Sequence, residues 1–82
     1  MARVSSIAHA VREFTGGLDA FELEARTVGE LLRAMEQRFP GLGAHVREQM
    51  ALAIDGEIHQ DALAEPLRAD SEVVLIPRIG GG

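Results

Sequence analysis

The chain carries one clear amphipathic helix, and that helix restricts what 82 residues can fold into more than any other feature. Val28, Leu31, Leu32, Met35 and Phe39 recur at helical spacing and form a single apolar stripe, while Glu30, Arg33, Glu36, Gln37 and Arg38 face elsewhere. Thr27, followed three residues later by Glu30, makes a capping box at its start. Pro40-Gly41 stops it. A helix this short is marginal in isolation. Each large side chain on the stripe contributes roughly 1.5–3 kcal/mol when fully buried, so the stripe needs a partner surface.

That surface is expected to be a sheet. Phe21 and Leu23 alternate with Ala20, Glu22 and Glu24 as a half-buried strand, and Val4 to Ala8 is a weaker candidate interrupted by Ser5 and Ser6. Val11 to Phe14 reads as a short helical turn running into a reversal at Gly16-Gly17. Met50 to Ile54 is apolar and ends at Asp55-Gly56, a dipeptide favoured in tight hairpins, with Glu57-Ile58-His59 as the return strand. Pro66 to Asp70 is a turn and Glu72 to Ile76 the last strand. The pattern predicts an α+β domain: a mixed sheet of four to five strands packed against one main helix, the β-grasp arrangement. Alternation on the last strand puts Val73 and Leu75 under the helix. It leaves Val74 and Ile76 on the open face as a partner-docking patch.

Composition removes several function classes. The net charge is -5 and phosphate binding needs clustered cations, so nucleic acid is not an expected partner. A partner with a basic surface is favoured. No run of about 18 apolar residues spans a membrane, and the first residues lack a secretion signal. Cysteine is absent, so there is no disulfide, thiol nucleophile or thiolate metal site, which fits a cytoplasmic location. All eight basic residues are arginine. Biased base composition explains that; it also leaves no side-chain amine for an activated carboxylate to attack.

The end of the chain is the second informative feature. Val73-Val74-Leu75-Ile76-Pro77 is followed by Arg78-Ile79-Gly80-Gly81-Gly82. Glycines cannot add to a core, and they lose the most backbone entropy on ordering. Such a segment serves best as a thin thread that carries a carboxylate, anchored by the strand before it. The expected organisation is therefore a folded domain over 1–77 and a flexible tail over 78–82. Four residues from Ile79 to Gly82 reach into a partner at about 3.3–3.6 Å per residue. Arg78 either orients the tail against a partner carboxylate or is a solvated arginine at a strand end.

Other groupings carry less. His9, His45 and His59 have no metal-ligand spacing and sit on three different elements, so no metal is expected. Asp55, Glu57 and Asp61 gather at a hairpin and read as a solvated loop rather than an acid–base pair. Gly16-Gly17 lacks the surroundings of a phosphate-binding loop.

Taken with these residues, the chain resembles the ubiquitin-like sulfur-carrier proteins, among them the small subunit of molybdopterin synthase and the thiamine sulfur carrier. The resemblance spans nearly the whole length. It rests on Val11-Arg12-Glu13-Phe14-Thr15-Gly16, on Thr27-Val28-Gly29-Glu30-Leu31-Leu32, and on Asp70-Ser71-Glu72-Val73 followed by Ile76-Pro77 and terminal glycines. It implies that an adenylating enzyme of the ubiquitin-activating type uses ATP to activate the Gly82 carboxylate. A sulfur donor then converts it to a thiocarboxylate, and an acceptor synthase takes the sulfur. Ile79, Gly80 and Gly81, with Arg78, would be the tail held in the partner's channel. The carrier itself would bind no cofactor and catalyse nothing. Length and the long helix lean towards the molybdopterin synthase large subunit as acceptor. Carriers for thiamine, cysteine or another sulfur metabolite are alternatives, as are a protein modifier and a plain docking module. Two departures stand out: Gly80 where a small non-glycine residue is usual, and Arg78 directly after Pro77.

Overall fold

The computed structural model describes residues 1–59 and 63–78. Eight elements follow in order: β1 (Ala2–Ser5), α1 (His9–Thr15), β2 (Ala20–Leu23), α2 (Val28–Arg38), α3 (Leu42–Gln49), β3 (Met50–Ile54), β4 (Glu57–His59) and β5 (Glu72–Pro77). The strands form one sheet in the order β2-β1-β5-β3-β4, with β1 and β5 parallel and the other neighbours antiparallel. The expected mixed α+β sheet is therefore present with five strands, and β5 lies at its centre.

The core forms where the expected helix crosses this sheet. Val28, Leu31, Leu32 and Met35 of α2 are buried against Val4, Phe21, Leu23, Leu52, Ile54, Val73 and Leu75 from the strands. Thr27 Oγ1 accepts the Glu30 N–H at 3.2 Å, and Glu30 reaches back to the Arg26 N–H at 3.0 Å. Backbone from the crossing before β5 satisfies the neighbouring donors of α2: Val28 N–H bonds Glu65 O, and Gly29 N–H bonds Leu63 O. The hairpin is as expected. Asp55 and Gly56 both have positive φ, 49° and 92°, the combination a two-residue turn needs between twisted strands.

One expectation is corrected, and one helix is present that was not expected. The first strand runs over Ala2–Ser5 and not Val4–Ala8. Ser6 ends it, donating its hydroxyl to Leu75 O and accepting the Ala8 N–H, and Ile7 is left 93% exposed. The main helix is as expected and has companions. Besides the short α1, an eight-residue α3 follows directly on Pro40-Gly41, with Leu42 and Val46 fully buried. Gly41 turns the chain at φ 95°, and the Glu36 carboxylate of α2 accepts N–H bonds from Gly41 (2.6 Å) and Ala44 (3.1 Å). These bonds, the Gly41 one foremost, hold the Glu36 carboxyl below the usual carboxylate range. Among the described residues, no helix is long and apolar enough to cross a membrane.

Candidate functional site

The strand that leads to the glycines is held along both edges. On one side β5 pairs with β1 from Arg3↔Glu72 to Ser5↔Val74, and on the other with β3 from Ile54↔Val73 to Met50↔Pro77. Past the last β1 pair, Ser6 Oγ continues the connection with a 3.0 Å bond to Leu75 O. Past the last β3 pair, Arg78 does the same: its backbone N–H bonds Gln49 O at 3.1 Å. Its guanidinium donates from Nε to Met50 O (2.9 Å) and from Nη2 to Arg47 O (3.1 Å). Ile79, Gly80, Gly81 and Gly82 lie outside the described residues.

Strand alternation then builds a face beside this exit point. Val73 and Leu75 are buried in the core, whereas Val74 is 41% exposed and Ile76 half-buried. The register extends Val74 sideways into a row: Ala20 pairs with Ser5, Ser5 with Val74, Val74 with Ala53, and Ala53 with Ile58. Ala51 lies beside Ile76 in the same way. Ile58 is 68% exposed, a large apolar side chain that the sequence puts on the return strand but not in the docking patch. The two-residue turn at Asp55-Gly56 was its signal, because that turn fixes Ile58 opposite Ala53. Two residues further from the exit, the row becomes charged, with Arg3 between Glu22 and Glu72. The open face is thus apolar next to the tail root and ionic away from it.

The remaining candidates are structural. Asp55 is more than a solvated loop carboxylate. It accepts the Glu72 N–H (3.0 Å) and the Ser71 hydroxyl (3.1 Å) and pairs with Arg68 at 3.3 Å. The Glu72 N–H above all, then Ser71 and Arg68, hold its carboxyl below the ordinary range against the opposing effect of burial. Asp61 lies outside the described residues. His45 packs on Phe14 with ring centroids 5.3 Å apart, and His59 Nδ1 sits 3.8 Å from Glu65. Among the described residues, no three His, Asp or Glu side chains are grouped to hold a metal ion. A cavity of about 110 Å³ beside Arg78, walled by Val28, Leu32, Met50 and Leu52, is smaller than the roughly 300 Å³ at which small-molecule sites begin.

The ThiS family model matches residues 7–82. CysO of Amycolatopsis orientalis, solved in complex with BexX, superposes with a TM-score of 0.84 at 22% identity, covering 100% of both chains. Small archaeal modifier protein 1 of Haloferax volcanii gives 0.75 at 24% identity, covering 99% of this chain and 98% of that one. In the Helicobacter pylori complex of subunits 1 and 2 of molybdopterin-converting factor, a matching chain gives 0.67 at 25% identity, covering 99% and 97%. No curated protein matches by sequence.

Proposed function

The chain belongs to the ThiS family, whose members are small sulfur carriers and not themselves enzymes, and on that premise we propose that its reactive group is the Gly82 carboxylate. The observation that carries the proposal is positional. The family match runs through the three glycines, and the strand that feeds them is the central one of the sheet, held on both sides. A rigid body that ends in residues without side chains suits delivery of a carbonyl carbon into a narrow channel.

The chemistry follows from that group. A carboxylate is a poor electrophile. An activating enzyme joins one carboxylate oxygen to the α-phosphate of ATP and releases pyrophosphate, which gives the carbonyl carbon a good leaving group. Sulfide-level sulfur from a donor adds to that carbon and AMP departs, leaving a thiocarboxylate. The thiocarboxylate sulfur is the nucleophile passed to an acceptor. Val74, with Ala53 and Ile58 in its row, and Ile76, beside Ala51, form the surface on which activating enzyme and acceptor dock. Arg78 holds the root of the tail, Ile79 leads it into the channel, and Gly80 and Gly81 occupy the passage. The domain ends at Pro77 in this scheme, the tail occupies 78–82, and the cycle runs in the cytoplasm, where ATP is at hand.

The acceptor we propose is the large subunit of a molybdopterin synthase. Its support is the 25% identity to the Helicobacter pylori subunit solved with its partner subunit. Intact mass after incubation with activating enzyme, ATP and sulfur donor tests the cycle. Exchange of one oxygen for sulfur at Gly82 supports it, isopeptide-linked adducts identify a protein modifier, and an unchanged mass leaves a docking module. Removing Gly81 and Gly82 abolishes transfer while leaving the melting temperature in place; full transfer by the truncated chain refutes the proposal. Adding the thiocarboxylate form to a molybdopterin synthase, a thiazole synthase or a cysteine synthase large subunit identifies the acceptor.

A further inference from the structure

We propose that Arg78 is a positioning residue, a clamp that fixes where the tail leaves the body and so sets how far the Gly82 carboxylate reaches. The inference rests on the sulfur-carrier proposal above and deepens it. Helix α3 ends at Gln49, and its last carbonyls have no partner within the helix. Arg78 supplies partners for that end three times over: its backbone N–H to Gln49 O, Nη2 to Arg47 O and Nε to Met50 O. A cation at the negative end of a helix is favoured, and the planar guanidinium spans two carbonyls at once. A lysine ammonium, a point donor on a flexible stem, does not reproduce that fork.

These contacts join residues 28 and 31 positions apart in sequence, so they tie the last described residue to the neighbouring strand β3 at Met50 and to helix α3 at Arg47. Ser6 holds the same strand from the β1 side at Leu75. With Arg78 fixed, only Ile79 to Gly82 remain to extend, which is about 14 Å when fully stretched. If the clamp opens, Arg78 joins the thread and the reach grows by about 3.5 Å. An error of that size at a reacting carbonyl is large, because misplacement by 1 Å can cost about a hundredfold in rate.

The test is a compensation experiment with the full chain and its activating enzyme, following adenylation kcat/KM by pyrophosphate release. Arg78→Ala is expected to lose about tenfold, and Arg78→Lys to fall between it and the parent. Deleting Gly80 shortens the thread and is expected to lose at least about tenfold. Combining the deletion with Arg78→Ala is expected to restore at least about threefold over the deletion alone, because the released root feeds one residue into the thread. A merely structural arginine cannot produce that rescue. A deletion without effect, or a double variant no better than the deletion, overturns the clamp. A second measurement needs no partner: amide hydrogen exchange at residue 78 is slow in the parent and speeds up at least about tenfold in Arg78→Ala as the opening equilibrium shifts. Equal exchange in both overturns the clamp. Failure of the parent chain to be adenylated, with the exchange difference present, removes the sulfur-carrier proposal and leaves the clamp.

Discussion

Gly43 approaches Leu32 so closely that a Cβ added to it would lie 2.6 Å from the Leu32 carbonyl oxygen and 2.9 Å from Glu36 Cβ. The first of those atoms is backbone, so the clash cannot be relieved by turning a side chain. Helices α2 and α3 must move apart instead, disturbing Leu42 and Val46, which are fully buried between them and the sheet. Gly43→Ala is expected to destabilise by about 1–3 kcal/mol, as overpacking does. For a domain of this size each kcal/mol lowers the melting temperature by roughly 4–8 °C. The opposite result, the stabilisation of up to about 1 kcal/mol that alanine gives over glycine at an open helical position, shows that the helices need not touch there.

The same contact explains why α3 was not visible in the sequence. It has only two fully buried large apolar residues, Leu42 and Val46, and a glycine inside its first turn. Its N-terminal donors are capped by Glu36, which belongs to the preceding helix, so the usual local cap signal is missing. Helix α2 was legible because its stripe, its cap and its stop are all local. The β3–β4 hairpin was legible because Asp55-Gly56 dictates its own register. The first strand was misplaced because Ile7 looks like a strand residue, and only the Ser6 bond to Leu75, 69 positions away, shows why it points outward. Simple alternation sufficed to put Val74 and Ile76 on the face opposite Val73 and Leu75. Two partners of Arg78, Arg47 and Gln49, could not be read from spacing, since they come from a helix the sequence did not reveal.

Asp55 gives the fold a defined acid sensitivity. Its carboxylate ties the β3–β4 turn to the start of β5 through Glu72 N–H and Ser71, and its folded pKa is lowered. A depressed carboxylate pKa contributes stability that is present above the unfolded value, about 3.9 for Asp, and is lost as pH falls from there through the folded value. Asp55→Asn keeps a side chain that tolerates the positive φ at this position while removing the charge. The variant is expected to be less stable at neutral pH and to show a flatter loss of stability below about pH 4, read from urea midpoints across pH. Parallel curves for parent and variant show that Asp55 does not carry the dependence.

On the open face, folding and the proposed docking role can be tested separately. Val74 and Leu75 are neighbours on one strand with opposite surroundings, 41% and 2% exposed. Leu75→Ala is expected to cost about 2–5 kcal/mol through the cavity it leaves under α2. Val74→Arg and Ile58→Glu are expected to stay within about 0.5 kcal/mol of the parent by chemical denaturation. Both face variants are expected to weaken binding to the activating enzyme at least about tenfold, measured by titration calorimetry. Unchanged affinity in both removes the docking role from this row of residues.

Gly80 offers the opposite kind of change, one expected to improve the carrier. If the tail is drawn straight inside a channel, as proposed, three successive glycines maximise the conformations lost. Replacing one by alanine narrows the unbound ensemble by about 0.4–1 kcal/mol, provided the bound backbone has negative φ there. That difference converts to a roughly two- to fivefold lower KM for activation of Gly80→Ala, with kcat unchanged because the reacting carboxylate is two residues further on. Gly82→Val puts branching directly beside the carbonyl carbon that must be attacked, so there kcat falls while the melting temperature holds. If Gly80→Ala loses as much activity as Gly82→Val, the channel has no room for a side chain anywhere along the tail, and the third glycine is then a steric requirement rather than an entropic cost.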